Sequence, residues 1–213
     1  MERVEKGTVR GFLHLPEKPT GDGLVFGHGA GGDCNAPLIR AIAETFSAAG
    51  IAVLRVDLVF RQLKRTPSPA MQPRDREGLR EALEFLRGAL KAKGGSRLFL
   101  GGHSYGGRQA SILASEQPEF AAALLLFSYP LHPPGKPDQL RTAHFSALKL
   151  PCLFAHGTRD AFGSPEELRA AIKLIPGPTE LAIAEKAGHG LPVGAVAAVA
   201  SKFREFVERA VEA

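Results

Sequence analysis

The stretch Phe99-Leu100-Gly101-Gly102-His103-Ser104-Tyr105-Gly106-Gly107 decides the fold class of this chain. Its first three residues close an apolar run, 97–101, that reads as a buried strand. The residues after Ser104 open an alanine-containing stretch, 106–115, that reads as a helix. Between them a serine sits in a G-x-S-x-G turn. So sharp a strand-to-helix turn crowds the backbone around its central residue. Glycine at 102 and 106 removes the side chains that would clash there. The turn lifts the Ser104 hydroxyl above the end of a sheet. The N-terminus of the following helix lies behind it and favours developing negative charge.

Outward from this turn, β-rich apolar runs alternate with amphipathic ones along the 213 residues. Strands are expected at 8–15 (an edge strand ended by Pro16), 23–27, 51–58, 97–101, 121–127, 151–155 and 181–184. Helices are expected at 37–48, 75–92, 106–115, 165–174 and 193–211. The run 51–58 is apolar almost throughout, as a strand covered on both faces should be. Helix 75–92 carries Leu79, Leu83, Leu86 and Leu90 at helical spacing and should stop at Gly94-Gly95. Ser164, Pro165 and Glu167 make a capping-box start for the helix that follows them.

This alternation predicts an α/β fold. A mostly parallel central sheet of about seven strands is flanked by helices, in one domain spanning 1–213. Two segments are irregular: 59–74, with three prolines, and 129–150. Both follow strands, so both belong at the carboxyl edge of the sheet, where open α/β sheets bind ligands. The second is too short for a large cap domain, and a short helix is expected near 138–148.

Composition narrows the class. Hydrophobic residues are 44% and charged residues 23% of the chain, the profile of a soluble globular protein. No apolar run approaches the roughly 20 residues that cross a bilayer. The first residues are mixed in charge and lack the apolar centre of a signal peptide. Cys34 and Cys152, the only cysteines, suggest neither a disulfide framework nor a metal site. A cytoplasmic setting with no cofactor and no metal is expected. The net charge of +5 is scattered and interleaved with acids, which argues against a nucleic-acid partner. One basic cluster stands out, Arg61-Gln62-Leu63-Lys64-Arg65. It reads either as a solvated loop or as a strip beside the pocket that favours an acidic or phosphorylated substrate.

A serine nucleophile needs a base, because its hydroxyl is weak at its own pKa. Of the histidines after Ser104 (His132, His144, His156 and His189), His189 lies in Ala187-Gly188-His189-Gly190, between the last strand and the last helix. It is the expected base. The acid that orients such a base should follow the penultimate strand, and Asp160 does; Asp138, in the irregular segment, is the competitor. The oxyanion formed on attack needs backbone N–H donors. One is expected from Tyr105, after the nucleophile. The other is expected from Gly27-His28-Gly29-Ala30-Gly31-Gly32-Asp33, with Ala30 favoured and Gly29 and Gly31 as alternatives. Gly29, Gly31, His103 and Arg61 are expected to border the substrate. The loop lacks the glycine spacing of phosphate-binding motifs.

The segments 27–33, Gly102-His103-Ser104-Tyr105-Gly106-Gly107 and His156-Gly157-Thr158-Arg159-Asp160-Ala161-Phe162-Gly163 resemble those of α/β hydrolases. Within that superfamily they resemble the subgroup of testis-expressed protein 30 and the hydrolase-like domain of KAT8 regulatory complex subunit 3. Dienelactone hydrolases are more distant. The resemblance implies a serine triad of Ser104, Asp160 and His189. The expected function is hydrolysis of a small acyl ester or thioester through an acyl-enzyme. The alternatives are acyl transfer or peptide cleavage by the same triad, and a non-catalytic binding module on the same fold. The sequence leaves the oligomeric state, monomer or homodimer, open.

Overall fold

Strands that read as apolar on both faces are buried on both faces. In the computed structural model, which describes residues 1–91 and 97–212, the chain runs β1 (Glu2–Lys6), β2 (Val9–His14), β3 (Gly23–Gly27), α1 (Pro37–Ala48), β4 (Ala52–Val56), α2 (Val59–Gln62) and α3 (Gln72–Lys91). It continues with β5 (Leu98–His103), α4 (Tyr105–Glu116), β6 (Ala123–Phe127), β7 (Cys152–Gly157), α5 (Pro165–Ile172), β8 (Thr179–Ala184) and α6 (Val196–Glu212). These strands form one eight-stranded sheet in the order β1-β2-β4-β3-β5-β6-β7-β8. Strand β2 pairs antiparallel with β1 and β4, and every other pairing is parallel.

Alternate residues of each central strand feed two separate cores. In β3, Val25 joins one core with Leu79, Leu83 and Leu86 of α3 and Leu113 of α4. Its neighbours Leu24 and Phe26 join the other, with Ile42 and Phe46 of α1 and Phe203 of α6. The period of two in the strand thus meets the period of about 3.6 in the helices on both faces. Strands β3 and β5 are neighbours, and the connection that follows β3 runs to β4 on one side while the one that follows β5 runs to β6 on the other. The crevice above their carboxyl ends is the switch point at which open sheets hold ligands.

The structure corrects four expectations. The strand expected at the edge is second from it: Glu2–Lys6 adds β1 outside β2 and makes eight strands. The segment 59–74 is not wholly irregular, since it holds α2, and α3 begins at Gln72 rather than Asp75. Asp75 lies in its first turn and is buried. No helix forms at 138–148, only a single 3₁₀ turn at Phe145–Ala147. There the backbone is engaged elsewhere: Arg141 N–H donates to Leu131 O (2.8 Å), and Tyr129 Oη donates to Arg141 O (2.6 Å). The stop at Gly94-Gly95 lies outside the described residues. Among the described residues, no helix is long and apolar enough to cross a membrane.

Candidate active site

Ser104 stands between β5 and α4 with φ 51° and ψ −117°. A non-glycine residue adopts such a conformation only where its surroundings over-determine it. Here they do. Ser104 N–H donates to Phe127 O at the end of β6 (2.8 Å), and Gly106 N–H donates to His28 O at the end of β3 (3.1 Å). The turn is tied to the strands on either side of it.

Three side chains from three loops meet at this point. Ser104 Oγ lies 2.7 Å from His189 Nε2. His189 Nδ1 lies 2.9 Å from Asp160 Oδ2 and 3.0 Å from Oδ1. Asp160 is buried, 6% exposed, and its Oδ1 also accepts the Phe162 N–H (2.8 Å). A buried carboxylate holding Nδ1–H leaves Nε2 as the acceptor facing the serine hydroxyl. Such an array can take the hydroxyl proton as the oxygen attacks, and can stabilise the imidazolium that results. The Phe162 ring stacks on the imidazole at 4.1 Å. His103 Nε2–H donates to the His189 carbonyl (3.1 Å), and burial pushes its pKa down, so His103 is a neutral anchor for the histidine loop.

The loop after β3 is braced from several sides. His28 is fully buried and its pKa is lowered by burial. Its Nδ1–H donates to Gly29 O (2.8 Å), while Nε2 accepts the Leu58 N–H (3.1 Å). Arg61 donates through Nε to Gly32 O (2.8 Å) and through Nη2 to Ala30 O (3.2 Å). Arg55, buried within β4, reaches Cys34 O and the Asn35 side chain. The N–H groups of Ala30 and Tyr105 make no backbone hydrogen bond among the described residues. Both residues border Ser104 in a shared cavity.

Two cavities meet at Ser104, with Ala30, Ser104 and Phe162 in the walls of both. The larger, about 660 Å³, is lined by Gly29, Gly31, His103 and His189 and by apolar side chains such as Leu38 and Leu191. The smaller, about 440 Å³, is bordered by Tyr105, Gln72, Arg108 and Arg141. Thus Gly29, Gly31 and His103 border the site. Arg61 lines neither cavity, its guanidinium being spent on loop carbonyls. Asp138 is exposed, while His156 is buried against Gly163 O (2.7 Å). Among the described residues, no cluster of three or more metal-ligating side chains occurs.

A protein-family model described as "Alpha/beta hydrolase domain" matches residues 21–203. The chain belongs to the alpha/beta hydrolase family. Solved structures of similar fold include Est1E from Butyrivibrio proteoclasticus, 17% identical, with a TM-score of 0.74 over 99% of this chain and 98% of that one. A dienelactone hydrolase from Anabaena variabilis is 23% identical, with a TM-score of 0.71 over 94% and 91%. XC6422 from Xanthomonas campestris, described as an a/b serine hydrolase without a lid, is 18% identical, with a TM-score of 0.68 over 90% and 87%. At these identities the likeness is one of fold. In this alpha/beta hydrolase the β6–β7 connection likewise carries no large cap.

Asp75 is a site-supporting residue that the sequence marks only as the start of the helix expected at 75–92. It is fully buried; Oδ1 accepts the Phe60 N–H (2.9 Å) and Oδ2 accepts the Tyr105 hydroxyl (2.6 Å). It holds in place the residue that follows Ser104. Burial raises its pKa above the ordinary 3.8. A carboxyl raised on folding contributes most to stability below its unfolded pKa, and that contribution is lost as pH rises through the folded one. Asp75→Asn removes this titration. Its Tm relative to the parent is therefore expected to climb as pH rises from the ordinary carboxylate value towards neutrality. Melting curves at several pH values check this, and a pH-independent difference would refute it.

Proposed function

We propose that this protein is a serine hydrolase that cleaves a small acyl ester or thioester through an acyl-enzyme. The observation that carries the reading is the unbroken chain from Ser104 Oγ to His189 Nε2 (2.7 Å) and from Nδ1 to the buried Asp160 carboxylate (2.9 Å). Ser104 Oγ attacks the acyl carbonyl while its proton passes to His189 Nε2. The resulting oxyanion is held by the free N–H groups of Ala30 and Tyr105. His189 then gives the proton to the departing oxygen or sulfur. Water, activated by the same imidazole, releases the acid and regenerates Ser104.

The family and the dienelactone hydrolase among the fold neighbours support hydrolysis. The motif resemblance supports placement beside the testis-expressed protein 30 and KAT8 regulatory complex subunit 3 hydrolase-like domains, with residues 1–213 as one domain. A fluorophosphonate probe tests the reading. It is expected to label the parent and to leave Ser104→Ala unlabelled, and a panel of nitrophenyl esters and acyl thioesters then ranks the substrates. Absence of labelling in the parent, or labelling that survives Ser104→Ala, would sink it.

A further inference from the structure

The smaller cavity holds two cations that the protein leaves without counter-charge. Arg108 lies one helical turn beyond Ser104, its N–H bonded to Ser104 O (2.9 Å). Its side-chain Nε is buried without a hydrogen-bond partner, and its Nη1 has only a long contact to Gln72 Oε1 (3.4 Å). Arg141 Nη1 reaches only the Pro130 carbonyl (3.3 Å). Neither guanidinium forms an ion pair among the described residues, whereas Arg76, Arg80, Arg97 and Arg209 each pair with a carboxylate. Behind them His144 accepts or donates at Ser111 Oγ (2.8 Å), and its pKa is pushed down to about 4 by burial and by Arg108. It adds no negative charge. A buried donor without an acceptor costs free energy, as does placing like charges together. An anion in this cavity, held by the guanidinium N–H groups that line it, would offset the repulsion between the two cations.

The cavities also differ in their relation to the base. His189 lines the larger apolar cavity and not the cationic one. A leaving group must take its proton from His189, so it departs on the apolar side. The acyl chain then extends into the cavity of Arg108 and Arg141.

Resting on the hydrolase reading above, we infer that the preferred substrates carry an anionic end on the acyl group, as in the half-ester of a dicarboxylic acid, joined to an apolar alcohol or thiol. The carboxylate sits between Arg108 and Arg141 in charge-assisted hydrogen bonds.

The test compares three esters of matched chain length: 4-nitrophenyl hexanoate, the mono-4-nitrophenyl ester of adipic acid, and 3-carboxy-4-nitrophenyl hexanoate. In the parent, kcat/KM for the adipate ester is expected to exceed that for the hexanoate by about tenfold to a hundredfold. Arg108→Gln and Arg141→Gln should each bring the ratio towards one, while Arg65→Gln, an exposed cation of the neighbouring loop, should leave it in place. Because the hexanoate is measured on every variant, each ratio carries its own control for folding. A parent ratio of one or less, a ratio untouched by both arginine changes, an equal fall in Arg65→Gln, or a preference for the carboxylated leaving group would each overturn the inference. Hexanoate turnover without adipate preference would defeat this inference alone. No turnover of any ester, together with no labelling of Ser104, would instead defeat the hydrolase reading beneath it.

Discussion

His189→Ala is expected to lower kcat for ester hydrolysis by about 10⁴- to 10⁶-fold, and adding Ser104→Ala should cost almost nothing more, because groups that act as one unit are lost together. Asp160→Asn is the more discriminating variant. Oδ1 of Asp160 accepts the Phe162 N–H at 2.8 Å, so an asparagine must keep its carbonyl oxygen there. Its amide NH₂ then occupies the position of Oδ2, 2.9 Å from His189 Nδ1. Oδ1 stays 3.0 Å from Nδ1, so the amide meets the ring with one donor and one acceptor; the tautomer with its proton on Nε2 gains, and the negative charge that stabilised the imidazolium is gone. In that tautomer the Nε2 proton points at Ser104 Oγ, and the ring cannot take the serine's own. The fold is undisturbed, yet kcat should fall about 10⁴-fold. Steady-state kinetics with a thermal melt as companion measures both. An Asp160→Asn enzyme within tenfold of the parent would mean that His189 is oriented by something else.

These three residues were readable in the sequence because each follows a strand whose apolar run marks it, and the order of strands places their loops on one edge. Local signals sufficed for the serine turn and for the capping box at Ser164, where both reciprocal bonds form. The signals failed where the deciding partner is distant in the chain. Strand β1 buries only Val4 among its five residues, too little apolar content to announce a strand until β2 lies beside it. Asp75 looks like any helix acid, and its meaning comes from Tyr105, 30 residues on. The basic cluster at 61–65 reads either as a solvated loop or as an anion strip beside the pocket. Its leading member instead turns back 29 and 31 residues to brace the loop of Ala30. Nothing in the sequence marks Arg108 and Arg141 as the cations without an ion pair, since nothing local distinguishes an arginine with a carboxylate partner from one without.

The same reasoning gives the serine turn a stability signature. A Cβ added at Gly106 would lie 2.5 Å from His28 O and 2.8 Å from Gly27 C, and one added at Gly102 would lie 2.5 Å from Gly106 C and Gly107 N. Every one of these neighbours is backbone, so no side-chain rotation relieves the clash. The start of α4 must move away from β3 or from β5. Gly102→Ala and Gly106→Ala are each expected to cost about 3–5 kcal/mol, placing them among the severe single substitutions. In a chain of this size that corresponds to a fall in Tm of about 10 °C. Gly88→Ala supplies the contrast: it is exposed on α3 with nothing within 4 Å of its added Cβ, and should raise stability by about 0.5–1 kcal/mol. The double variant Gly102→Ala/Gly106→Ala should cost less than the sum of its parts: the methyl groups meet different contacts, α4 with β3 and α4 with β5, but each displaces the same start of α4. Gly106→Ala should also lower kcat, since Gly106 N–H holds His28 O and thereby sets the distance between the Ala30 loop and Ser104. Additive losses of stability would show that the two displacements of α4 are independent. A Gly106→Ala protein with parental kcat would show that the proposed oxyanion donors, Ala30 and Tyr105, do not depend on the closeness of α4 to β3.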